Sequence, residues 1–367
     1  MGRILDRELK RQLRLQSHKP PFLPIVSAIP CLYAPYVDAT RSKVAFGRRA
    51  LPKLLKELHH PDKLLVRQAL NSLSDLVYDP EKAYEAVKLN VIARVQDLLT
   101  SEDVYIRDRC CAILVTIADQ AIGKEAIIKN DKALENILKL MGDEELGVRY
   151  KASLAFEITT SYWVVTDMSI KKWVLPIILH RLDVEEDPDV VKIHLRTLLS
   201  ILQRGVNKEA VELGAMKILL KYIDYLRDEV RHYAIACLAS LVSEHTGLEL
   251  SIDTGLVLQL KERLFDHSVE VRSKTAACVS FIAVPPDPKI QVSELGITDE
   301  LLSLAANHPN EELQINAVKV LTNIAETPKG RIYLSGKLQI IENITTGDSE
   351  KLERHIDTLV KVIKWKP

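Results

Sequence analysis

The chain is 367 residues long, 47% hydrophobic and 27% charged, with 50 Lys and Arg against 50 Asp and Glu. That balance offers no field for nucleic acid or an anionic membrane, and the longest apolar runs fall well short of the roughly 18 residues that a spanning helix needs. Five cysteines, four of them inside helical patterns, read as a reduced intracellular chain rather than a disulfide framework.

Residues 1–40 differ in character from the rest of the chain. Gly2 to Gln16 can form a short basic helix with Ile4, Leu5, Leu9 and Leu13 along one side. Residues 1–20 carry six Lys or Arg and two acids, so no secretory signal peptide is expected. Pro20, Pro21, Pro24, Pro30 and Pro35 then favour an extended path. Phe22, Ile25, Leu32, Tyr33 and Tyr36 are too apolar for a solvated linker. The segment reads as a docking arm for its own chain or a partner, or as a tail that orders only in an assembly.

Residues 41–367 carry an internal repeat. Asp266 to Ala283 gives its pattern: a polar turn, an apolar–Arg pair at Val271-Arg272, and small or apolar residues at Thr275, Val279 and Ile282. Taking the Arg as zero, positions +3, +7 and +10 share one face of an α-helix. The same register is anchored at Arg67, Arg107, Arg149, Lys192, Arg231, Arg272, Gln314 and Glu353, at intervals of 39 to 43 residues. A period near 40 with purely helical patterning predicts an all-α, right-handed armadillo/HEAT-like solenoid of about eight repeats. Two shorter helices precede each anchored one, which favours three-helix armadillo units. Gly214, Gly296 and Gly336 mark the junctions between these shorter helices, where a left-handed backbone is expected. The fourth unit is irregular: its first helix is expected over Ser161 to Val174, with Trp163 and Trp173, ahead of an acidic turn at Glu185-Glu186-Asp187. The last helix, Glu350 to Trp365, should cap the stack with Lys351, Glu353, Arg354, Asp357 and Lys361 outward.

No catalytic constellation accompanies this pattern. Gly142 and Gly147 have P-loop spacing but are followed by Val148-Arg149 instead of Lys-Ser/Thr. His59, His60 and His267 lie in turns without Cys or acid partners at metal-ligand spacing. Cys110 and Cys111 are helix neighbours, and Cys237 and Cys278 occupy equivalent small buried positions. The expectation is a non-enzymatic protein that takes no metal, cofactor or small-molecule substrate.

Function is then expected on the concave surface made by the third helices. A basic-peptide receptor of this fold needs Trp at +5 and Asn at +9, but +5 has no Trp and +9 only Asn323. Positions +5 and +9 instead give Ala112, Thr116, Leu154, Ile158, Thr197, Ile201, Ala236, Ser240, Ala277, Phe281 and Asn323. Small and apolar in its middle, such a groove suits an apolar helix or extended segment of a partner protein.

Certain strings carry a resemblance. Phe46-Gly47-Arg48-Arg49-Ala50-Leu51-Pro52-Lys53-Leu54, then Arg67, Ala69-Leu70, Asp79-Pro80-Glu81 and Tyr84, and the closing Val362-Ile363-Lys364-Trp365-Lys366-Pro367, resemble one armadillo family. It is the radial spoke head 14 homologues, also called rhabdoid tumour deletion region protein 1. The likeness runs over about residues 40–367; residues 1–39 do not match that family's shorter N-terminus. The resemblance implies a structural subunit of the axonemal radial spoke in the cytoskeleton of motile cilia and flagella. It also implies other radial spoke and axonemal proteins as partners.

Overall fold

The computed structural model describes residues 38–41, 43–161, 168–307, 309–347 and 349–365. The proposed arm residues Phe22, Ile25, Leu32, Tyr33 and Tyr36, and also Trp163, lie outside them. The chain divides after Ser72 into two compact units. In the first, α1 (Ala50–Glu57) buries Ala50, Leu51 and Leu54, and the Val44 N–H donates to Ser72 Oγ at 3.2 Å. Helix α2 (Lys63–Leu76) begins in this unit.

The second unit is built almost wholly from helices in the anticipated order. Helices α3 (Pro80–Lys88), α4 (Val91–Leu98) and α5 (Val104–Ala118) make one repeat, and α6 (Ala121–Ile128), α7 (Asp131–Leu140) and α8 (Leu146–Thr160) the next. Helix α9 (Met168–Val184) precedes α10 (Pro188–Leu202). Three further triplets come next: α11 (Asn207–Glu212), α12 (Ala215–Leu220) and α13 (Asp228–Val242); α14 (His245–Asp253), α15 (Leu256–Lys261) and α16 (Val269–Ile282); and α17 (Pro286–Glu294), α18 (Thr298–Asn307) and α19 (Glu311–Ala325). The last is α20 (Pro328–Ser335), α21 (Leu338–Glu342) and α22 (Glu350–Lys364). Each long helix packs on the next, α5 on α8, then α10, α13, α16, α19 and α22.

Side-chain caps fix where the long helices begin. Asp103, Asp187, Ser268, Asn310 and Ser349 each accept a hydrogen bond from a backbone N–H in the first turn. Between the shorter helices, Gly214 and Gly296 have φ of 81° and 73°, as their expected left-handed role requires. Gly336 does not: its φ is −69°, and an ordinary right-handed turn closes that junction through the Lys337 N–H to the Leu334 carbonyl. A second set of glycines answers to a different constraint, close helix approach. Gly123, Gly247 and Gly330 sit on the first helix of their repeats, where a Cβ would lie 1.9–2.2 Å from the carbonyl oxygens of Ile117, Leu241 and Ile324. Any side chain there would push two helices apart.

The expected core face is the observed one. All eight +3 positions, Leu70 to Ile356, are buried, and at +7 Leu114, Phe156, Leu238, Val279 and Leu321 are buried too. Two details differ from the sequence reading. In α10 the buried set is Val190, Val191, Ile193, His194, Leu195, Thr197, Leu198, Ile201 and Leu202, so its anchor is Val191, one residue earlier than Lys192. Helix α9 also runs on to Val184 instead of ending at Val174, with Pro176 inside it. Buried Val174, Leu175, Ile178, Leu179 and Leu182 keep helical spacing across that proline, and this packing offsets its missing N–H. On α22, Leu352, Ile356, Leu359 and Ile363 are buried, and Lys351, Glu353, Arg354, Asp357 and Lys361 face solvent.

The anchor arginine has a mechanical role. Arg107 Nε and Nη2 donate to both Asp143 carboxylate oxygens at 2.7 and 3.0 Å, and Nη1 to the Ser101 and Glu102 carbonyls at 2.9 and 3.1 Å. Arg149 does the same with Glu185 (3.0 and 3.3 Å) and the Asp143 and Glu144 carbonyls. Arg231 does so with Asp266 (2.8 and 2.9 Å) and the Tyr225 and Leu226 carbonyls. One guanidinium thus closes its own turn and clamps the turn of the following repeat. The acid in turn accepts a backbone N–H two residues on, from Glu145, Asp187 or Ser268. Burial alone would raise the Asp143 and Asp266 pKa values, but the arginine and backbone hydrogen bonds outweigh it and hold both below the usual range. A depressed carboxyl stabilises the fold above its unfolded value of about 4, and that stability is lost as pH falls through the folded value. At Val191 no guanidinium exists. There the buried Tyr222 hydroxyl donates to the Leu182 carbonyl, and exposed pairs such as Arg227–Asp189 (2.9 Å) span the joint.

His194 lies fully buried between α8 and α10, with Nε2 2.9 Å from Ser153 Oγ. Burial, with Arg181 and Arg149 adding to it, lowers its pKa to about 3. The folded chain holds this imidazole neutral while the unfolded chain protonates it below about 6.5. Stability therefore falls as pH drops below about 6.5, by up to about 1.4 kcal/mol per unit from this group. Denaturation midpoints measured from pH 7 to pH 5 should show a shallower decline in His194→Gln than in the wild-type chain. Parallel curves would contradict a neutral buried His194.

Candidate functional site

Positions +5 and +9 lie on the side of the long helices opposite the +3/+7/+10 core face. Ala112, Thr116, Leu154, Ile158, Ser240, Ala277 and Asn323 are half-buried there, and Phe281 is 43% exposed. Thr197, Ile201 and Ala236 are buried, so the sequence reading is corrected at these three. For Thr197 and Ile201 the reason is that α10 is anchored at Val191, not Lys192, so both belong to the core face and Arg196 and Ser200 take positions +5 and +9. The Thr197 hydroxyl donates to the Ile193 carbonyl at 2.9 Å.

That placement divides the stripe. Arg196 Nη2 sits 2.8 Å from Glu157 Oε1, and its guanidinium lies 6.0 Å from the centre of the Tyr233 ring. Burial raises the Glu157 pKa against the lowering effect of Arg196. A polar bridge across α8, α10 and α13 therefore interrupts the continuous apolar middle expected from the sequence. On one side remain Ala112, Thr116, Leu154 and Ile158. On the other are Ala277, Phe281 and, beyond the helix end, Val284, which is 58% exposed.

The polar groups on the stripe are mostly spoken for. Thr116 Oγ1 donates to the Ala112 carbonyl at 3.1 Å, and Ser240 Oγ donates to Asn207 Oδ1 at 3.3 Å. Asn323 Nδ2 donates to the Ser280 carbonyl at 2.8 Å, tying α19 to α16. What the stripe offers a ligand is apolar area and shape. Lys151 with Asp108, and Lys274 with Glu312, pair alongside it.

Nothing reactive joins these residues. Burial raises the thiol pKa values of Cys110, Cys111, Cys237 and Cys278, removing the thiolate that nucleophilic chemistry needs. Among the described residues, no group of His, Cys, Asp and Glu is arranged to hold a metal, and no helix is long and apolar enough to cross a membrane.

Known proteins share this architecture. The crystal structure of an engineered protein superposes with a TM-score of 0.75 at 22% identity, over 87% of this chain and 79% of that one. The fold is an armadillo/HEAT-like solenoid. A second engineered protein superposes with a TM-score of 0.56 at 22% identity, over 63% of this chain and 96% of its own. In sequence, residues 251–365 match the family model of the non-SMC mitotic condensation complex subunit 1. Vacuolar protein 8 of Saccharomyces cerevisiae is 28% identical over 116 residues, 31% of this chain and 20% of that protein. Vacuolar protein 8 of Yarrowia lipolytica is 30% identical over 118 residues, with the same coverage. The chain spans about a fifth of the length of these curated relatives.

The exposure of Phe281 sets an expectation for stability. Phe281→Glu should leave helicity unchanged and cost under about 1 kcal/mol in chemical denaturation, as surface substitutions do. A loss above about 3 kcal/mol would mean that the ring is packed as core.

Proposed function

We propose that this chain is a non-enzymatic scaffold that holds partner proteins on the +5/+9 stripe of its long helices, as a structural subunit of the radial spoke in motile cilia and flagella. The observation that carries the scaffold reading is the stripe itself: small and apolar side chains, internally satisfied polar groups, and an exposed Phe281. Such a surface recognises an apolar helix or strand by shape. The solenoid supports the same reading, since stacked repeats present an extended face on a rigid frame. The ciliary assignment rests on the Phe46 to Leu54 string, the Asp79-Pro80-Glu81 turn and the closing Val362 to Trp365 stretch, which resemble the radial spoke head 14 homologues. In that setting the chain connects spoke subunits between the doublet microtubule and the central apparatus, with axonemal proteins as its partners.

A tagged copy in a motile ciliated cell, followed before and after detergent extraction, tests this. Retention along the axoneme is expected, with Phe281→Glu reducing it. Loss of the wild-type signal to the soluble fraction would contradict the spoke assignment and favour a cytosolic adaptor for cargo or assembly.

A further inference from the structure

Away from the row of long helices, α7 and α9 line a cleft of about 390 Å³. Leu138, Trp173, Pro176 and Ile177 form its apolar lining, and Trp173 is 40% exposed. Its charged groups are lopsided: Lys139 and Arg181 stand against the one carboxylate of Glu135.

Arg181 is the unusual member. The anchor arginines Arg107, Arg149 and Arg231 each hold a carboxylate in two hydrogen bonds. Arg181 is half-buried like Arg107 and Arg149, yet among the described residues no carboxylate lies within 4.0 Å of it. Its Nε is buried without a hydrogen-bond partner. Its guanidinium presses on Gly142, where a Cβ would fall 1.9 Å from Nη1. His194, whose pKa the Arg181 charge helps to lower, is neutral and supplies no counter-charge. A guanidinium held partly out of water without a counter-ion carries a desolvation cost that a bidentate carboxylate would relieve.

We infer that this cleft docks a short partner segment bearing an aromatic or aliphatic side chain beside an Asp or Glu. The apolar side chain fills the space over Trp173, Pro176 and Ile177, and the carboxylate pairs with Arg181, with Lys139 adding attraction. Charge complementarity selects this occupant. A purely apolar segment would cover Arg181 without satisfying it, and a basic one would meet Lys139 and Arg181 as like charges. The site does not depend on the +5/+9 stripe or on the ciliary assignment.

The test is selection of a random-peptide phage library on the full chain, followed by titration of the selected synthetic peptide while tryptophan emission is monitored. Two variants accompany it. Arg181→Gln removes the charge; Gly142→Ala keeps it but displaces the guanidinium, at a position whose backbone accepts a side chain. The expected result is enrichment of an acid beside an aromatic or aliphatic residue. Affinity should then drop at least about tenfold in both variants, at unchanged far-UV helicity. No enrichment, enrichment of peptides without an acid, or affinity unchanged in both variants would overturn the assignment.

Discussion

The interaction on which this molecule depends is one guanidinium bonded to two turns. A helical repeat has an apolar face that cannot be buried alone, and hydrophobic stacking is non-directional: it says that repeats associate, not in what register. Arg107, Arg149 and Arg231 supply the direction. Each bonds the carbonyls ending its own turn and the carboxylate that opens the next, so neighbouring units are held at a fixed spacing. At the Val191 joint no guanidinium makes this bond, although Glu185 still sits six residues before the anchor and the buried face keeps the regular register. A tyrosine and exposed ion pairs then span the joint, and such pairs are individually weak.

The repeat was legible because burial at +3, +7 and +10 imposes a period that composition cannot hide. The anchor's purpose was not, although its signal was present. An acid recurs six residues before the next anchor at Asp143, Glu185 and Asp266, the positions that the preceding arginines clamp. That regularity links residues 35 or 36 apart, beyond the reach of any within-helix pattern. The anchor of α10 escaped for a related reason. Lys192 looks like an arginine in sequence, whereas the core face is set by Leu198 and Leu202. Helix α9 shows the opposite case: it is expected to end at Val174, and buried apolar residues carry it through Pro176 to Val184.

These same features shape the candidate surface. With Val191 as the anchor, Thr197 and Ile201 face inward and Arg196 outward, and the Arg196–Glu157 pair splits what reads in sequence as one apolar groove into two patches. A ligand lying along the whole row would have to cross a charged bridge. Two shorter apolar contacts on either side of it fit the geometry better than one continuous helix. The four thiols beneath this surface are buried and held protonated, so they offer it no thiolate.

The most direct test of the clamp is a double-mutant cycle on Arg231 and Asp266, whose side chains are 6% and 2% exposed. Arg231→Gln and Asp266→Asn would be made singly and together, and unfolding followed in denaturant. Breaking a buried pair from one side leaves a stranded partner, so each single change should cost about 3–5 kcal/mol. If the clamp holds the two repeats together, the double variant should cost less than the two singles summed, by about 1–3 kcal/mol. Singles that add to within about 0.5 kcal/mol would show that the two residues act independently and that stacking alone sets the register.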